Sequence, residues 1–147
     1  MNPDKYIRKA YIDGLSVLTG LPAYHKRLPV DIYPLPGMYI LITTQTKNES
    51  GTKGKQLSTS LSAFRLTEWL CSITVEIIRV NERSFGSYAS VEDVEEQIID
   101  WVRTQLQVQE FYVKETELVD SISLDIDTDT ISMDRKVLTF QHWVNER

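Results

Sequence analysis

The chain has 147 residues, 41% of them hydrophobic and 25% charged, the balance of a single globular domain able to bury a core. A net charge of −5 argues against a dedicated nucleic-acid binder, which needs clustered cations to displace counterions from phosphates, though not against a surface that DNA slides past. The lone Cys71 excludes an internal disulfide and fits a reducing compartment, and no apolar run suits a signal peptide or a membrane span.

The charge is unevenly placed. Residues 1–55 carry eight Lys/Arg against four Asp/Glu, and residues 56–147 carry eight against seventeen. Two poles of opposite sign can dock head to tail or line a channel with one sign, although solvated faces that differ by chance give the same totals.

In chain order, Asp4 is placed to cap a first helix running to about Thr19. Ile7, Ala10, Tyr11, Gly14, Leu15 and Leu18 form its apolar stripe, and Gly20 and Pro22 end it. Pro22, Pro29, Pro34 and Pro36 then hold the chain extended. Residues 38–46 are rich in β-branched and aromatic types and read as a strand, followed over 47–60 by a polar loop or hairpin tip. Residues 67–80 give the strongest strand. Trp69, Cys71, Ile73, Val75 and Ile77 make one apolar face, leaving Leu70, Ser72, Thr74 and Glu76 on a second, solvent-side face. Cys71 is therefore expected to be an inert core thiol.

Ser90 and Asp93 form a variant capping box for a second helix with Val91, Val94, Ile98, Trp101, Val102 and Leu106 as its stripe. A strand is expected over 121–127, where Ile122, Leu124 and Ile126 alternate with polar residues. A turn over 128–134 and a last strand follow, with Leu138, Phe140, His142 and Val144 on one side. The elements predict an α+β domain over 1–147: an antiparallel sheet of four to five strands flanked by two helices, with a protruding β-hairpin or loop.

Chemical motifs fail on inspection. Gly51-Thr52-Lys53-Gly54-Lys55-Gln56 has Glu49 and Gln56 where a phosphate loop needs glycine and Ser/Thr. Asp125, Asp127 and Asp129 resemble the start of a calcium loop, but Thr130 and Lys136 occupy its glycine and glutamate positions. An acidic row on a strand face fits better. His25 and His142 have no ligand or triad partners at usable spacing, so no catalytic residue, metal site or cofactor is expected. Lys47, Lys53 and Lys55 could meet an acidic surface of a copy or a partner, and as a solvated tip they need no partner at all.

The order of these elements resembles the tail terminator (tail-completion) and neck-ring proteins of tailed bacteriophages. The resemblance is carried by the first helix, by Leu28-Pro29-Val30-Asp31-Ile32-Tyr33 leading through Pro36-Gly37 into Met38-Tyr39-Ile40-Leu41-Ile42, and by the Trp69-to-Val80 strand. Ser90-Val91-Glu92-Asp93-Val94 and Arg135-Lys136-Val137-Leu138-Thr139-Phe140 complete it. It spans nearly the whole chain and rests on loose apolar patterns. It implies a virion protein, assembled in the host cytoplasm as a ring, commonly a hexamer, which ends the tail tube or joins it to the connector and leaves a lumen for DNA. On that reading Lys47, Lys53, Lys55, Phe85 and Tyr88 would make contacts between copies or with neck and tail proteins, as would the solvent face of the 69–80 strand. Charge would place Asp125, Asp127 and Asp129 along the lumen, where DNA passes without sequence-specific contact, and no membrane partner is expected. The alternative is a small cytoplasmic α+β interaction adaptor, and a small hydrolase or transferase ranks third for want of a nucleophile–base pair.

Overall fold

The computed structural model describes residues 2–25, 37–49, 68–82, 91–127 and 131–147. Helix α1 (Pro3–Thr19) begins with Pro3, whose missing N–H is no loss in a first turn. Asn2 is the cap, its Oδ1 accepting the Asp4 N–H at 3.0 Å. Asp4 is thus not the cap that the sequence suggests; it lies inside the first turn, where its charge favours the helix dipole. Gly20 ends the helix at φ 71°, donating its N–H to Ser16 O at 3.0 Å, a left-handed conformation that glycine adopts without penalty. An Asn2→Ala variant is expected to lose about 1 kcal/mol, read as a lower urea midpoint at unchanged slope.

Helix α2 (Val91–Thr104) buries Val91, Val94, Ile98, Trp101 and Val102, the stripe read from sequence except Leu106, which lies half-buried past the helix end. Glu92 and Asp93 in its first turn and Arg103 in its last both complement the dipole. The expected cap, Ser90, lies outside the described residues.

The strands are β1 (Ala23–Tyr24), β2 (Gly37–Glu49), β3 (Glu68–Glu82), β4 (Phe111–Ser123), β5 (Ile126–Asp127) and β6 (Ile131–Glu146). They form one open sheet in the order β1-β2-β3-β6-β4, with β5 adding two pairs to β6. The four long strands are antiparallel. The short β1 runs parallel to β2, so the α+β fold carries a mixed sheet. Strands β2 and β3 pair as far as Glu49 opposite Trp69, and the protruding tip expected beyond them, over 50–60, lies outside the described residues. Lys47, Asn48 and Glu49 belong to β2 and not to the loop, because ladder pairing with β3 outweighs their polar character.

Three further boundaries depart from the sequence reading. No strand spans 121–127. Strand β4 starts ten residues earlier, at Phe111, and residues 124–125 separate it from β5. The expected turn over 128–134 is shortened, since β6 already begins at Ile131. Two register shifts, between Val113 and Glu115 and between Leu118 and Asp120, mark bulges in β4.

Both helices pack on one face of the sheet, α1 over β1, β2 and β3, and α2 over β3, β6 and β4. Beneath them Ile40, Ile42, Ile73, Val75, Ile77, Leu138, Phe140 and Val144 are buried with Ile7, Tyr11, Leu15 and Ile98. Tyr11 joins the layers, its ring 5.8 Å from Trp101 edge-on, 6.2 Å from Phe140 and 5.7 Å from His142. The far face holds a smaller cluster of Tyr39, Leu41, Ile78, Val80 and Met133. Cys71 is buried in the main core, as expected.

Candidate functional site

Three places gather polar chemistry: a buried imidazole, the far face of the sheet, and the charged outer flanks of the helices. The imidazole belongs to His142, which lies 1% exposed on β6 and stacks on Phe140 at 6.3 Å. Its Nε2 meets the Tyr11 hydroxyl and its Nδ1 lies 2.9 Å from Thr116 Oγ1. A single ring proton satisfies both contacts: Nδ1–H donates to Thr116 while Tyr11 donates to Nε2. Burial pushes the His142 pKa down to about 4 and the Tyr11 phenol well above its ordinary value. Both groups are therefore neutral at pH 7. Tyr11 is fully buried, so no substrate reaches this pair, and its role is to tie α1 to β6 and β4.

On the far face, Ser72, Thr74 and Glu76 are each less than a tenth exposed. This corrects the solvent-side face expected for β3, which is buried on both sides of the sheet and unavailable for docking in this state. Glu76 accepts from Arg135 across the sheet on this face, whereas the part-buried pair in which Asp134 accepts from Arg79 lies on the helix side. Such pairing is what permits a carboxylate to be buried in mid-sheet.

The flanks differ in sign. Lys5 and Lys9 on α1 are exposed and Arg8 is half-buried, donating to Thr44 Oγ1 at 3.2 Å. With Ile12, the exposed His25 and Asp13, which pairs with Lys9 one turn away, they line an open concavity of about 280 Å³. On α2, Asp93, Glu96 and Asp100 are exposed around a half-buried Ile99. Glu95 points to the sheet, accepting from Ser121 on β4 and standing 3.8 Å from Lys136 Nζ on β6.

Strand β4 presents a further acidic row. Glu115, Glu117 and Asp120 sit opposite Trp143, Gln141 and Thr139, and the second bulge keeps Asp120 on the far face with Glu117. All three are exposed. Sequence reasoning missed this row because the bulges hide the strand's alternation.

The residues singled out from sequence are brought together only in part. Lys47 lies in β2 opposite Cys71, while Lys53, Lys55, Phe85, Tyr88 and Asp129 lie outside the described residues. Asp125 is exposed past the end of β4, its Oδ1 accepting the Arg135 N–H at 3.4 Å. Asp127 lies in β5, so Asp125 and Asp127 do not share one continuous strand. Among the described residues no group of three or more His, Cys, Asp or Glu is placed to hold a metal ion, and no helix is long and apolar enough to cross a membrane.

No protein-family model matches the chain, and no curated protein matches it.

Proposed function

We propose that the chain is a structural protein of a tailed bacteriophage that forms a ring at the head–tail junction or tail end, closing the tube or joining it to the connector. The observation that carries the reading is the architecture: an open sheet with both helices on one face and a long β2–β3 hairpin, in the element order of the tail terminator resemblance. An open sheet also suits lateral repetition, since a ring closes through heterologous contacts between two different edges of each copy.

In this reading the far-face carboxylates of β4, with Asp125 beyond them, take the lumen role inferred from charge for residues 125–129. Like charge keeps passing DNA from adhering. Lys47 in β2 serves contacts to copies or to neighbouring tube and connector proteins, together with Lys53, Lys55, Phe85 and Tyr88.

Light scattering over a concentration series, with negative-stain images of the same fractions, tests the proposal. The expected result is a discrete species of six or more copies seen as hollow rings. A monomer or dimer at all concentrations, unchanged when tail tubes are added, would favour an interaction adaptor instead.

A further inference from the structure

Neither helix is neutral to its surroundings. Helix α1 carries three cations and two carboxylates, whereas α2 carries five carboxylates and one arginine. On α2, Asp93, Glu96 and Asp100 recur at three- and four-residue spacing on the exposed side. Like charges at that spacing repel by roughly 0.2–0.5 kcal/mol per pair. The helix dipole offsets that repulsion at Asp93 and Arg103 offsets it beside Asp100, which leaves Glu96 and the middle of the row the part that a cation from outside would favour most.

The fold puts the matching surface at the opposite end of the same layer. The two helices meet where Gly14 packs against the Trp101 ring. From that seam α1 extends over β1 and β2, and α2 over β6 and β4, so their outer flanks look away from each other. Arg8 reaching Thr44 on β2 marks the outer side of α1, and Glu95 reaching Ser121 on β4 marks that of α2. Each flank has a half-buried isoleucine amid charges of one predominant sign: Ile12 lies among Lys5, Arg8 and Lys9 with Asp13 as the one carboxylate, and Ile99 among Glu92, Glu96 and Asp100 with Arg103 as the one cation.

We infer that the basic outer flank of α1, centred on Lys5, Arg8 and Ile12, docks on the acidic outer flank of α2, centred on Glu96, Ile99 and Asp100, in a second copy of this chain. The contact rests on the ring reading above and gives it a definite interface: two different surfaces on opposite sides of one subunit, which is what a heterologous ring requires.

Helix flanks alone are too small. A 14-residue helix is about 21 Å long, and a strip about 10 Å wide covers roughly 200 Å² per copy, against roughly 800 Å² per partner in a standard interface. The adjoining sheet edges must supply the rest. Tyr24 on β1 is 41% exposed, and Val119 and Ile122 on β4 are 46% and 47% exposed. Apolar area is thus present on both edge strands, with Tyr24 and Ile122 on the face turned away from the helices, so the contact must wrap around each edge.

Two charge reversals in the full chain test the inference. Lys5→Glu with Lys9→Glu inverts one flank, and Glu96→Lys with Asp100→Lys inverts the other; all four positions are exposed, and the surface Lys9–Asp13 pair lost in the first variant contributes little to stability, so the fold is retained, as circular dichroism would verify. Each variant alone is expected to self-associate at least tenfold more weakly than the parent by light scattering. An equimolar mixture of the two should assemble again, because each restores the other's missing partner. Assembly of the parent should weaken as salt is raised from about 50 mM to about 500 mM. Rings of the parent accompanied by undiminished assembly of both variants would overturn this interface and leave the ring intact. A parent that stays monomeric at low salt would overturn the inference and the autonomous ring together.

Discussion

Replacing Gly14 with alanine is expected to destabilise the protein by about 2–3 kcal/mol, although alanine is the best helix former and glycine among the worst. On an exposed helix the same exchange would stabilise by about 1 kcal/mol. Here a Cβ at position 14 would stand 2.7 Å from Trp101 Cη2, 3.0 Å from Cε2 and closer still to Cζ2. The obstacle is a rigid indole, 9% exposed, held edge-on against Tyr11. It cannot swing aside as a lysine would, so the two helices must separate or the ring must leave its rotamer. A fall in melting temperature of roughly 5–10 °C follows for a domain of this size. In a Trp101→Phe background the six-membered ring of the indole is gone, and Gly14→Ala should become neutral or mildly stabilising. A full penalty in that background would show that the helix seam does not lie where the structure puts it. The ring proposal depends on this seam too, since the close approach of α1 and α2 directs their charged flanks outward.

The helices and the long central strands were legible because each has one clean period. Ile7, Tyr11 and Leu15 recur every four residues, and Ile73, Val75 and Ile77 every two, and both sets are fully buried. Strand β4 was not legible, and the reason is physical. Its core-facing residues Phe111, Val113, Thr116, Leu118 and Ser121 are spaced by two, three, two and three, since each bulge inserts one residue. That spacing fits neither a strand nor a helix template. The tidy alternation of Ile122 and Leu124 drew the expected strand downstream, yet both are nearly half exposed. Burial of Ser72, Thr74 and Glu76 was equally hidden. Their polarity indicates a wet face, and only the cross-strand cation Arg135 explains a buried Glu76. The charge split between the halves of the chain was visible at once, whereas its concentration on two opposite helix flanks required knowing how the helices sit on the sheet. Nothing local could pair Tyr11 with His142, which are 131 positions apart.

That pair sets the second large effect. Acidification from about pH 6.5 to about pH 4 is expected to remove roughly 3 kcal/mol of stability through His142 alone. In the unfolded chain the imidazole takes a proton at its ordinary pKa of 6.5, whereas in the folded state burial holds it neutral down to about 4. Above pH 6.5 both states are neutral and the residue contributes no pH dependence. Between the two values the unfolded state binds the proton that the folded state refuses, so stability falls steadily with pH; below about 4 the loss levels off. A proton forced onto the folded ring would sit on Nε2, so the Tyr11 hydroxyl would have to turn from donor to acceptor beside a buried charge. His142→Gln retains a polar side chain facing both Tyr11 and Thr116 but cannot titrate. Urea unfolding of parent and variant at intervals from pH 7.5 to 4 separates this effect from the carboxylates, which titrate in both. The stability difference between them should shrink or reverse by roughly 3 kcal/mol across that window. A constant difference would mean that the imidazole is hydrated or charged in the folded state, and that α1 is not anchored to β6 through a dry, neutral hydrogen bond.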